Sequence, residues 1–115
     1  MLEARLSGQA VGPRGAAGGV GDLTFTVTGT KLCWRFAGVR GIDTPLRAAV
    51  RRGRVHGTGP LVLALGATFH SKRCITAAIS KVEPIVENPT GYYVVVSTKK
   101  RPAGAVRGQL AHASD

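Results

Sequence analysis

Residues 23–39, LTFTVTGTKLCWRFAGV, decide the fold class. Leu23, Phe25 and Val27 alternate with threonines, the period of two that a strand with one face on a core requires. Further on, Leu32, Trp34 and Phe36 share a face, which turns Cys33 and Arg35 to the opposite one. Gly29-Thr30 sits between the two runs as a two-residue turn, so the pair reads as a β-hairpin.

Working outward from the hairpin, a short strand is expected around Leu2–Leu6. It is followed by GQAVGPRGAAGGVGD (8–22), which holds six of the 16 glycines and no usable apolar period; it reads as a flexible Gly-rich loop. On the C-terminal side, LRAAV (46–50) and LVLAL (61–65) have the length and composition of strands, RGRVHGTGP turns between them, and ATFHSKRC leads out of the second. Ile75, Ile79, Val82 and Val86 recur at helical spacing, but Pro84 interrupts that segment and Pro89 ends it, so one or two short helical turns are expected. GYYVVVSTKK (91–100) is the strongest strand signal, and after a turn at Pro102–Gly104 a last strand runs through Val106–Leu110. About seven or eight short strands with one short helical segment describe an all-β sandwich or barrel.

With 115 residues the chain has the size of one compact domain, so 1–115 is read as a single unit. Its 16 Lys and Arg against 6 Asp and Glu leave a formal charge of +10, a surface that attracts anions over several ångströms. An acidic polymer, a protein partner, a small anionic ligand or a nucleic acid would each satisfy that field, and so would water alone. No run reaches the roughly 18 apolar residues of a membrane-spanning helix, and MLEARLSGQAV lacks the charged-then-apolar order of a leader. Met1 is either a native start or the replacement for a leader removed before this sequence begins. The edge run LVLAL is open to pairing across a dimer, although Gly and Pro at its ends protect it.

Cys33 and Cys74 are the two thiols. Cross-linked, they would close a loop worth about 4 kcal/mol on the chain-entropy model; unlinked, they would be two unrelated free cysteines of a cytosolic chain. Cys33 facing away from the aromatic strand face, and Cys74 beside Lys72-Arg73, weigh toward the link. A zinc site is excluded by the absence of a CxxC and by the scatter of His56, His70 and His112. A reactive thiol at Cys74 would have its pKa lowered by Lys72 and Arg73, but no histidine is placed to serve it.

The C-terminal run VENPTGYYVVVSTKKRPAGAVRGQL resembles the closing motif of chordin-type (CHRD) domains. Asn88-Pro89, Tyr92-Tyr93-Val94, Thr98, Pro102-Ala103-Gly104 and Ala105-Val106-Arg107-Gly108-Gln109-Leu110 follow in the family's order and spacing. LCWRFAGVRGI and GTGPLVLAL resemble its middle segments, so the likeness spans about Leu6 to Leu110, and bacterial members often carry cysteines where Cys33 and Cys74 stand. The resemblance implies an immunoglobulin-like or Greek-key β-sandwich, usually exported and usually without an assigned enzymatic activity. It makes a disulfide the better reading of the two cysteines, and a secreted or cell-surface location the better one against the cytoplasm.

The departures from that pattern locate a candidate site in RAAVRRGRVH (47–56). Where the family typically shows A-H-[IL]-H-x-G this chain has Ala48-Ala49-Val50-Arg51-Arg52-Gly53, and where it shows V-H-T this chain has Val96-Ser97-Thr98. The family's three histidines would suit zinc or copper. Here the three positions are Ala49, Arg51 and Ser97, and neither alanine nor a permanently protonated guanidinium ligates a cation. The reading therefore calls for no metal and no cofactor. Arg51, backed by Arg47 or Arg52 and hydrogen-bonded to Ser97, is expected to form an anion-seeking pocket instead, unless these arginines lie on a solvated face with no ligand.

The first functional expectation is an exported, non-catalytic binding domain whose basic face comprises Arg47, Arg51, Arg52, Arg54, Ser97, Lys99, Lys100 and Arg101. The alternative is a small biosynthetic or isomerising enzyme using the pocket around Arg51 and Ser97. In it Arg51 would be electrostatic stabiliser, Tyr92 or Tyr93 acid and His56 base. Nucleic-acid binding ranks below both, because Trp34 reads as buried and few other aromatics remain for stacking. A superoxide-dismutase-like activity is argued against by the missing ligand histidines.

Overall fold

A computed structural model describes residues 1–54 and 57–113. The strands among them are β1 (Leu2–Ser7), β2 (Val20–Thr28), β3 (Lys31–Arg40), β4 (Pro45–Arg52), β5 (Leu61–Ala64), β6 (Lys72–Thr76), β7 (Tyr92–Thr98) and β8 (Val106–His112). Two helices, α1 (Gly8–Val11) and α2 (Ile79–Glu87), and a 3₁₀ turn at Pro89–Gly91 complete the regular structure. The fold is all-β, as the alternation in β2 and β3 requires.

All eight strands hydrogen-bond in one antiparallel, curled sheet of order β5-β4-β7-β8-β1-β2-β3-β6. The two layers expected of a sandwich are thus the two halves of one continuous sheet. The inner faces of both halves supply a single cluster: Leu6, Leu23, Phe25 and Trp34 from β1–β3 meet Val50, Val94, Val96 and Leu110 from β4, β7 and β8. The indole N–H of Trp34 is not left unpaired in this apolar setting; it donates to the His70 carbonyl at 2.8 Å. The β2–β3 turn is tight, with Thr28 opposite Lys31 and Gly29 at φ 60°, a left-handed value that glycine adopts without strain.

Three segments differ from what the sequence predicts. The run 8–22 is not loop throughout: Gly8–Val11 forms a helical turn, capped by the Ser7 hydroxyl, which accepts from Ala10 N–H at 3.0 Å, and β2 begins at Val20. Between them, Ala16 N–H donates to the Ala105 carbonyl (2.9 Å), fastening the segment to the start of β8. Second, Pro84 does not interrupt the helix; α2 runs through it from Ile79 to Glu87. The proline forfeits one backbone hydrogen bond, and burial of Val82 and Ile85 against the core offsets that loss. Third, Ile75 belongs to strand β6 and not to the helix.

Strand β7 is buried on both faces. Its inner residues Val94 and Val96 enter the core, while Tyr93 and Val95 on the outer face are covered by the loops 11–14 and 57–60. A strand enclosed on both sides reads as an unbroken apolar run, which explains YYVVV. The ends of the sheet are β5 and β6.

Candidate functional site

Strand pleating sends Arg47, Ala49 and Arg51 of β4 to the outer face, beside Val95 and Ser97 of β7. Arg47 lies directly opposite Ser97, Ala49 opposite Val95 and Arg51 opposite Tyr93. These side chains line an open concavity of about 460 Å³, bounded by Leu61 and Ala64 of β5 and by Pro102 and Ala103 of the β7–β8 turn. The floor is apolar, and among the described residues the charge in the lining comes from the two arginines, with no carboxylate. Leu46 and Leu61 are 42% and 55% exposed at its rim.

The expected hydrogen bond between Arg51 and Ser97 is not formed. The two are four positions apart along the sheet, and Arg51 Nη1 donates instead to the Gly59 carbonyl at 2.9 Å. Of the arginines expected to back it, Arg47 shares the concavity. Arg52 has the alternation of Ala48 and Val50 and does not line it. Arg54 contributes its carbonyl to the interior, and its side chain is exposed. Lys99, Lys100 and Arg101 stand on the turn beyond Ser97, outside the lining. That turn is pinned by Asp43, whose carboxylate accepts from Lys100 N–H at 3.2 Å. The Thr98 hydroxyl above all holds the Asp43 carboxyl below its usual pKa; desolvation opposes it, and the Lys100 backbone and charge add lesser lowering effects.

A second cavity of about 410 Å³ adjoins the first, sharing Arg51, Val95 and Ala103 with it. It brings in Arg14, Thr58, Tyr93 and Arg107. Arg107 is 6% exposed, its guanidinium 3.4 Å from the centroid of the Tyr93 ring. Its Nη1 donates to the Gly57 carbonyl and its Nη2 to the Arg54 carbonyl at 2.8 Å, while Tyr93 Oη accepts from Gly59 N–H at 3.2 Å. Burial lowers the Arg107 pKa from the ordinary arginine value, and the nearby Tyr93 oxygen opposes that shift. Arg107 was not a sequence-predicted site residue. Its signal was its place, diagonal to Tyr93 across the β7–β8 ladder, and that needs the register Val95↔Arg107.

Of the residues expected in an enzymatic site, Arg51 and Tyr93 stand opposite each other across β4 and β7 and line the same cavity. Tyr92 turns inward and packs in the core, so only Tyr93 faces the cavities. His56 lies outside the described residues. Among the described residues no three of His, Cys, Asp and Glu gather where a metal ion would need them.

On the far half of the sheet, Cys33 of β3 sits directly opposite Cys74 of β6 and the two are joined, with Cα atoms 4.0 Å apart. A covalent link across the last ladder of the sheet matches the pairing implied by the sequence likeness. Compared with known families, residues 2–110 match the CHRD domain. The chain belongs to the CHRD-domain family. No curated protein and no solved structure matches it. CHRD domains are in general non-enzymatic protein-interaction modules, and both the family and the disulfide fit an extracellular location. No helix among the described residues is long and apolar enough to cross a membrane.

Proposed function

We propose that this CHRD domain is an exported, non-catalytic binding module whose outer β4–β7 face recognises an acidic protein or polymer. The observation that supports it is the concavity in which Arg47 and Arg51 flank an apolar floor, with Ser97 beside them and no carboxylate in the lining among the described residues. Two guanidiniums beside aliphatic surface suit a partner that presents acidic side chains alternating with apolar ones, because each carboxylate then meets a fork of donors while its neighbours cover Leu46 and Leu61. Lys99, Lys100 and Arg101 on the adjoining turn extend the positive field and speed encounter more than they strengthen the complex.

Anisotropy of a fluorescent poly-glutamate peptide tests this reading. Binding weakens steeply as salt rises from counter-charge screening, and Arg47→Glu with Arg51→Glu weakens it by about a hundredfold, the loss expected for two charge-assisted contacts. Lys72→Glu with Arg73→Glu, on the opposite sheet edge, changes it by less than about threefold. Equal losses from the two pairs would mean that the peptide senses only net charge, and the assignment of this face would fall.

A further inference from the structure

We propose that the cavity between the loops 11–14 and 57–60 is a second, separate site that binds the phosphoryl group of a small molecule, or phosphate itself. Three arginines line it from three elements: Arg14 from the loop before β2, Arg51 from β4 and Arg107 from β8. Among the described residues none of the three has a carboxylate within 4 Å; the one ion pair is Arg5–Asp22 on the surface. A buried cation without a counter-ion carries a desolvation cost that an incoming anion would relieve.

The hydrogen-bond inventory agrees. Arg107 has five N–H donors and directs two at loop carbonyls, which leaves three. Arg51 uses one on Gly59. Tyr93 Oη accepts from Gly59, so its own proton remains to be donated, and Thr58 adds a hydroxyl at the wall. A planar carboxylate offers two acceptor oxygens and one charge. A phosphate monoester offers three oxygens and a charge near −2, which matches donors converging from three sides. Val11, Pro13, Val95 and Ala103 give the rest of the cavity an apolar lining suited to an organic body.

The site shares Arg51 with the acidic-partner face but is distinguishable from it, since Arg14 and Arg107 line only this cavity and Arg47 and Ser97 only the other. Calorimetric titration at constant ionic strength with inorganic phosphate, and separately with phenyl phosphate, tests it. One molecule binds per chain, and Arg14→Gln, at an exposed loop position where the fold does not need the side chain, weakens binding by about tenfold. Arg51→Gln does the same, while Arg47→Gln stays within about twofold of the parent. Tighter binding of phenyl phosphate assigns the ligand as an organic phosphate, and equal binding assigns free phosphate. An absence of saturable binding to either compound, or an Arg14→Gln variant that binds as the parent does, overturns the proposal.

Discussion

Arg107 is taken almost wholly out of water with no carboxylate among the described residues to meet it, and the fold answers with two loop carbonyls and the ring of Tyr93. Removing the side chain would leave those carbonyls facing an apolar gap. Arg107→Ala is therefore expected to lower the unfolding free energy by about 3 kcal/mol in urea titration, and Arg107→Lys to recover only part of it. A lysine is a point charge without the planar fork that spans both carbonyls. Gly59 supports the same loop: a Cβ there would stand 1.4 Å from the Arg52 carbonyl oxygen, a backbone atom that cannot step aside. Gly59→Ala should cost about 2 kcal/mol and loosen the Tyr93 and Arg51 contacts together; an unchanged melting curve would show that the loop relaxes freely. None of this was visible in RGQL read alone. An arginine between Val106 and Gly108 has the alternation of an outward residue, and outward usually means solvated. Only the loops that fold back over β7 and β8 bury it.

Among the strands, β6 was the one the sequence concealed. KRCIT is almost entirely exposed, with only Ile75 half-buried, so it lacks the apolar alternation by which β2 and β3 announce themselves. Its strand character comes from pairing with β3 and from the Cys33–Cys74 link, both of which are long-range. The disulfide closes a separation of 41 residues, so replacing both cysteines with serine should lower stability by about 4 kcal/mol on the chain-entropy model. Amide exchange in Lys72–Thr76 should accelerate more than in β7; equal acceleration everywhere would show that β6 is held without the link. The turn after β7 carries its own pH signature. Because the folded Asp43 carboxyl sits below its usual pKa of 3.8, its contribution is fully present above that value and is lost as pH falls through the depressed one. The urea midpoint of Asp43→Asn should therefore fall less than that of the parent as pH drops below about 4. Parallel curves for the two proteins would remove Asp43 from the account.

Over the whole molecule, the readable part of the fold was the part set by local pattern: the β2–β3 hairpin, the doubly buried YYVVV strand and the apolar LVLAL edge. What stayed out of reach was the joining of the two layers into one curled sheet, because β8 meets β1 across nearly the full length of the chain. The candidate site divided along the same line. Arg47, Arg51 and Ser97 share a surface, as the period-2 spacing of β4 and the β7 motif implied, whereas Arg14 and Arg107 join Arg51 through packing that no local pattern carries. The net charge of +10 belongs to the whole chain, and at the β4–β7 concavity two of its arginines flank an apolar floor. The central claim is that this place, and not the charge as a whole, meets the acidic partner. Amide chemical-shift mapping during titration with poly-glutamate tests it most directly. The account predicts saturable shifts concentrated in residues 47–51 and 95–98; shifts of similar size at Arg35, Arg40, Lys72 and Arg73 would contradict it.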